Sequence, residues 1–371
     1  MSRLEPPTTT DPVDDPRCRQ GIWQRVAARF IRDPRDTPFI TLSLLLTAIF
    51  VPVTLYLFLA PELRWWMVAL YWVPYGYFLG PFILMLHNTS HRVLFKPRIR
   101  WLNHYIPWVI GPLLGQSPGT YFAHHLGMHH AEGNLPADLS STMAYQRDRF
   151  VDFLKYYGRF LVGYGGLVRY FSRAGRPKML WKLLLGETAQ LTLVVLLTLW
   201  NWQASLVVFI LPFFFTRFML MSGNWAQHAF VDPDEPTNDY RTVTTFINSP
   251  YNHRCFNDGY HLGHHLKPSR HWLEMPADFL AKRERMVQEG SLVFEGIDYF
   301  VIFWLLMFKR YGTLARAVVT LDPGQAPSEA ETVALLRRRL RRFSPEQQAR
   351  IGEQSAGDSS AASTATAASL S

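Results

Sequence analysis

Four apolar blocks dominate the hydropathy pattern of the chain. Phe39–Ala60 and Trp65–Leu86 each run 22 residues without a charged side chain. As helices they reach roughly 33 Å, enough to cross a hydrocarbon core of about 30 Å. Only Pro61–Arg64 separates them, so together they predict a helical hairpin through a bilayer. Pro52 and Pro74 are compatible with it, because neighbouring groups in a bundle satisfy the backbone that a proline frees. A second hairpin is predicted from Leu183–Trp202 and Ala204–Met221, with the uncharged Asn201–Gln203 at its turn. Glu187 near its start and Arg217 near its end fall toward the same membrane face, where they either snorkel or line a polar site.

Shorter patterns fill the rest. Residues 1–36 read as a cytoplasmic N-terminal arm, with an interfacial helix around Gly21–Ile31. Residues 37–320 form the membrane-embedded body, and 321–371 a basic helical stretch followed by a disordered tail. Trp101–Leu114 is apolar but too short to span, so it is buried or lies at the interface. Phe150–Tyr170 mixes aromatics with Lys155, Arg159 and Arg169, the pattern of a membrane-surface helix. Tyr299–Phe308, ten residues long, belongs to the interface or the core. Leu335–Phe343 is basic and helical, suited either to anionic lipid or to solvent. Beyond Gly352 the Ser/Ala/Thr-rich tail lacks the apolar content to fold.

Charge orients these elements. Arg-rich sequence precedes the first block, fills the region between the hairpins and follows the fourth block, whereas the two turns hold almost none. The positive-inside rule then puts both termini and the central segment in the cytoplasm, at the inner membrane of a bacterium or the endoplasmic reticulum of a eukaryote. Much of the formal net charge of +9 is topology signal, and nucleic-acid binding is not implied. Cys18 and Cys255 offer no disulfide framework on that side. No cleavable signal peptide is evident, so the first span serves as the insertion signal.

The candidate chemistry is histidine. His87 and His91 close the second apolar block as HNTSH. His125, His129 and His130 form HxxxHH, and His261, His264 and His265 form HxxHH. Spacings of three and four place side chains on one helical face. His228 adds a ninth, one helical turn after Asn224. All fall on the predicted cytoplasmic side. Nine imidazoles exceed the four to six ligands of a common site, whereas two metals with four or five nitrogens each would use them and leave positions open. Imidazole suits iron, zinc and copper, so the ligands alone leave the metal open. Asp138, Asp258 and Glu132 lie close enough in sequence to orient the rings, with loop solvation preferred for Glu132. His104, His124, His253 and His271 fall outside the spacing and are expected to be structural or to sit behind the ligands.

These boxes resemble those of the membrane fatty acid desaturase and hydroxylase superfamily, over roughly residues 37–310. The resemblance implies an all-α integral membrane fold, with about four transmembrane helices in two hairpins under a cytoplasmic helical cap. It also implies a non-haem diiron centre that activates O2 and attacks an unactivated C–H bond of an aliphatic chain. Carried over by position, the iron ligands are His87, His91, His125, His129, His130, His228, His261, His264 and His265. Asn224 is the candidate for an iron contact through water, and no catalytic side chain beyond the ligands is implied. HxxxHH departs from the commoner HxxHH of desaturases and looks more like the alkane and xylene monooxygenase branch. Span order, with two spans before the first box, is that of acyl desaturases. Desaturation of a fatty acyl chain is therefore expected first, with hydroxylation as the alternative.

Other classes explain less. His253–Asp258 spells the HxxxxD of glycerolipid acyltransferases, without a glycine-rich partner motif. A b-type haem protein would place single histidines within facing spans, and a non-enzymatic membrane protein with a structural metal would not need nine. The chain carries no haem-attachment motif, ferredoxin-like cysteine set or glycine-rich dinucleotide fingerprint. Electrons are expected from a separate ferredoxin, rubredoxin or cytochrome b5-like protein, steered by the basic face.

Overall fold

A computed structural model describes residues 8–322, 324 and 326–355, apart from the side chains of residues 18 and 19. The Cys18 thiol and residues 356–371 of the tail lie outside it. Among the described residues, four helices are long and apolar enough to cross a membrane: Thr37–Leu59, Trp65–His91, Pro177–Trp200 and Trp202–Gln227. The helices overrun the apolar blocks where polar residues continue them, so the second carries HNTSH as its own last turns and the fourth reaches Gln227. Asn201 breaks the second hairpin and caps the start of the fourth span, its Oδ1 accepting from Ala204 N at 3.1 Å.

Between spans two and three the chain turns back into the bundle. It passes through Pro97–His104, a π-helical turn at Ile106–Ile110 and Gly111–Leu113. Ile106, Ile110 and Leu114 are buried with residues of spans one, two and four, so Trp101–Leu114 contributes one face to the core while Trp101, Trp108 and Val109 stay exposed. The Tyr105 and Thr47 hydroxyls meet at 2.8 Å, and the Tyr71 hydroxyl donates to Leu113 O at 2.6 Å.

A cap covers the histidine-bearing end of the bundle. Phe150–Leu161 and Tyr164–Arg173 are two helices broken at Val162–Gly163; Phe153, Tyr156, Leu167 and Phe171 are buried while Val151, Leu154 and Val162 are exposed. Tyr299–Met307 packs Ile302, Phe303 and Leu306 into one apolar cluster with Met221 and Trp225 of span four. A two-stranded parallel sheet, Thr245–Ile247 beside Val293–Glu295, ties the cap together.

Three peripheral segments differ from the sequence expectation. The interfacial helix is shorter, Ile22–Ala27, but its Ile22, Trp23 and Val26 are exposed as that reading requires. Ahead of it, residues 8–12 form a strap on the cap. Asp11, 3% exposed, accepts through Oδ2 from Asn248 N at 2.8 Å, Asn252 Nδ2 at 3.0 Å and Tyr260 Oη at 2.7 Å. The basic helix Glu329–Arg339 is docked rather than free, with Leu336, Arg339, Leu340 and Phe343 buried. Arg339 pairs with Asp232 at 2.9 Å, both 4% exposed. Helix also occupies residues 345–355, past Gly352, because Ile351 buries against Phe343, Met143 and Val231.

Candidate metal centre

The last turns of span two put His87 and His91 on one face. Polar neighbours there are satisfied locally, Thr89 and Ser90 donating to Met85 O at 2.8 Å and His87 O at 2.7 Å. Arg92 then clamps the helix end to the segment before span one, pairing with Asp33 at 2.8 Å and Asp36 at 3.4 Å. Asp36 also binds His271 Nε2 at 3.0 Å, and His271 Nδ1 accepts from Leu273 N at 3.1 Å. His271 thus joins the Arg92–Asp33–Asp36 network.

The second box explains its own spacing. Thr120–His124 runs into a π-helical turn at His125–His129 and ends in His130–Glu132. The His130 N–H donates to His125 O, five residues back. A π turn absorbs one extra residue without ending the helix, and His125 and His130 consequently face the same point, their Nε2 atoms 3.1 Å apart. The extra residue of HxxxHH is thus accommodated locally.

His228 caps the end of span four. The third box sits on the short helix His261–Leu266. Its entry loop contains Asn248, Phe256 and Asn257 at positive φ, and the Asp11 strap holds it from outside.

These elements converge. The nearest ring nitrogens of His87, His91, His125, His130 and His264 lie within 4.8 Å of one another, and those of His129, His228 and His265 form a second such group. In the first, Nε2 faces Nε2: His87–His264 at 3.0 Å, His91–His125 at 3.1 Å and His130–His264 at 2.9 Å. His261 adjoins the second through His228, Nε2 to Nε2 at 3.4 Å. The groups abut, the His130 and His265 ring centres being 5.9 Å apart.

Burial, reinforced by the neighbouring imidazoles, holds His125, His130, His228, His261 and His264 well below the ordinary histidine value. Neutral rings each offer one lone pair. Lone pairs converging at 3 Å, with His261 Nδ1 and His265 Nε2 buried and unpartnered, form a donor set that fits cations rather than protons.

Carboxylates stand behind the rings. Asp138 is 3% exposed and meets His129 Nδ1 at 2.7 Å, while its other oxygen accepts from the Ser140 amide and hydroxyl, both at 2.7 Å. Burial raises this carboxyl, but His129 and Ser140 outweigh it and leave it below its usual value. Asp258 is 3.7 Å from His87 Nδ1. Asp239, the first residue of the short helix Asp239–Thr242, is 3.4 Å from His265 Nδ1; sequence reading missed it, since no spacing rule links residues 26 apart. Glu132 is not left to solvent, because Tyr170 donates to it.

Asn224 lines the same space, and its Nδ2 donates to the Tyr156 hydroxyl at 2.7 Å and Ser140 O at 3.2 Å. His104 and His253 are exposed. The HxxxxD pair does not form, since Asp258 turns toward His87. His124 lies outside both groups, stacked 6.4 Å from His129 and edge-on to Phe160 at 5.2 Å. Burial, partly offset by Asp138, lowers it to about 4.

A cavity of ≈ 390 Å³ leads from His87, His125, His129 and His261 along spans two and four, past Leu79, Ile83, Phe215 and Met221. Its lining is mostly apolar, and its end is the histidine cluster. No curated protein matches the chain. The fatty acid desaturase family model matches residues 63–296, which contain all nine box histidines and three of the four spans whole. An apolar cavity closed by clustered imidazoles in a membrane bundle, over the region that this model covers, makes the chain an integral membrane enzyme of the fatty acid desaturase family, the membrane diiron type of oxidoreductase.

Proposed function

We propose that the protein is an O2-dependent non-haem diiron desaturase that introduces a C=C bond into an aliphatic lipid chain. The observation that carries this reading is the pair of abutting imidazole groups at the end of the apolar cavity. One iron would be held by His87, His91, His125, His130 and His264, the other by His129, His228, His261 and His265, with Asn224 close enough for a contact through water. Bound there, the irons supply the oxidising power by which O2, two external electrons and two protons take two hydrogens from adjacent carbons and leave two waters.

The chain's own residues do the rest. Asp138 and Asp239 hold His129 and His265 by Nδ1, and Asp258 faces His87 Nδ1 at 3.7 Å, leaving Nε2 toward the metal. Leu79, Ile83, Leu84 and Met221 seat the hydrocarbon and keep water from it. Span order supports desaturation, since two spans precede the first box, and the π turn accommodates the extra residue of HxxxHH within the helix.

The Arg-rich span ends support a cytoplasmic histidine cap with both termini inside. Arg98, Arg100, Arg173, Lys178 and Lys267 are exposed at that end, and we assign to this face the docking of a separate acidic electron donor. Donor-supported turnover is then expected to fall as salt rises; a flat salt profile would remove the docking assignment.

The outer carboxylates give a graded expectation. Asp138→Asn should lower iron retention about 10–100-fold, measured by chelator titration. Asp239→Asn should cost less, since its carboxylate is 37% exposed and farther from its ring. Equal effects would contradict the assigned roles.

The reaction is tested by mass spectrometry of lipids from cells with and without the protein, supplied with a reductase system. A chain two hydrogens lighter supports desaturation. A chain one oxygen heavier assigns the hydroxylase alternative.

A further inference from the structure

The segment Leu114–Gly119 is irregular backbone packed between spans three and four. Non-helical backbone at membrane depth is tolerated only where protein buries it or where it lines a cavity. Here two of its carbonyls are satisfied from span four: Thr216 donates to Leu114 O at 2.6 Å and Arg217 to Gly115 O at 2.8 Å. Arg217 also reaches Ser117 Oγ at 3.0 Å. The fit needs glycine on both sides. Gly115, at φ 76°, would place a Cβ 2.2 Å from Pro212 O, and a Cβ on Gly186 would fall 1.4 Å from Pro118 O.

This construction delivers one polar side chain to the cavity. Gln116 is 5% exposed and lines it, yet its Oε1 is buried without a partner. His124 lines the same cavity, and its Nε2 is likewise buried and unpartnered. Neither is needed to seat a plain hydrocarbon. Arg217, the one cation among the described lining residues, is already shared between Glu187 at 3.7 Å, Gly115 O and Ser117. No free side-chain cation remains for a carboxylate among the described lining residues, and Asp258, which also lines the cavity, would repel one.

We propose that the cavity takes a lipid chain bearing a neutral hydroxyl group, and that Gln116 is the residue that selects it, with His124 as the second polar contact. A hydroxyl donates its one hydrogen to the amide oxygen of Gln116 and accepts from His124 Nε2 when that nitrogen carries the proton. The inference rests on reading this cavity as the substrate site.

The test is equilibrium binding of radiolabelled hexadecane, hexadecan-1-ol and hexadecanoate to the iron-loaded protein in detergent. The alcohol is expected to bind about tenfold or more tightly than the alkane, because a buried polar group discriminates strongly against a ligand that leaves it unpaired. Gln116→Leu, checked for wild-type iron content and melting, should bring the alcohol down to the alkane. Equal binding of alcohol and alkane to the wild type, tightest binding of hexadecanoate, or an undiminished preference in Gln116→Leu would each overturn the proposal. Iron content and lipid products report on the reaction independently. A protein that desaturates a lipid yet treats alcohol and alkane alike refutes the hydroxyl assignment alone, whereas one that binds none of the three probes refutes the lipid cavity as well.

Discussion

Replacing His129 by alanine is expected to leave one iron on a chain that otherwise carries two, and to abolish product formation. His129 belongs to the smaller imidazole group with His228 and His265, and Asp138 fixes it from behind at 2.7 Å. Its loss removes one of four assigned ligands and leaves the Asp138 carboxylate buried without its imidazole. The five-histidine group keeps every member. Activity should fall by more than the about 10–100-fold expected for losing only an outer partner. Insertion of the spans should be unchanged, because His129 lies outside them. Iron analysis and lipid product assay of the purified variant check this; two irons and full activity would remove His129 from the ligand set.

Arg217→Met is expected to be the most destabilising single change within the spans. Arg217 is 6% exposed, its guanidinium sits 3.5 Å over the Phe213 ring, and it holds Gly115 O, Ser117 Oγ and Glu187 together. Removing it leaves the half-buried Glu187 carboxylate with only the Thr120 hydroxyl as a side-chain partner among the described residues and frees the Gly115 carbonyl. Breaking a buried pair from one side costs about 3–5 kcal/mol. Thermal unfolding in detergent should show this loss, and Arg217→Met combined with Glu187→Gln should recover part of it. Strictly additive effects of the two substitutions would show that the pair is not coupled.

The parts of this molecule that were legible in its sequence are those governed by local periodicity. Uncharged runs of 22 residues marked the first hairpin, and spacings of three and four marked which histidines share a face. Span ends were placed short wherever polarity begins before the helix stops, as at His87–His91. The residues that complete the site arise from long-range packing, which leaves no spacing. Asp239 reaches His265 only because the loop after His228 folds back over the third box. Gln116 enters the cavity only because Gly115 and Gly186 let a loop approach two helices. Asp11 looked like part of a polar arm, yet three donors from residues 248–260 bury it. Glu187 and Arg217 could snorkel or line a polar site by sequence, and packing puts Arg217 on the cavity lining with Glu187 3.7 Å from it.

The central claim is that two metal sites, built from five and four histidines, stand side by side at the end of one lipid cavity. The measurement that tests it most directly is the metal content of the purified protein after loading with iron and washing with a weak chelator. Two irons per chain, without haem, are expected. A single metal ion, or none retained, would contradict the account.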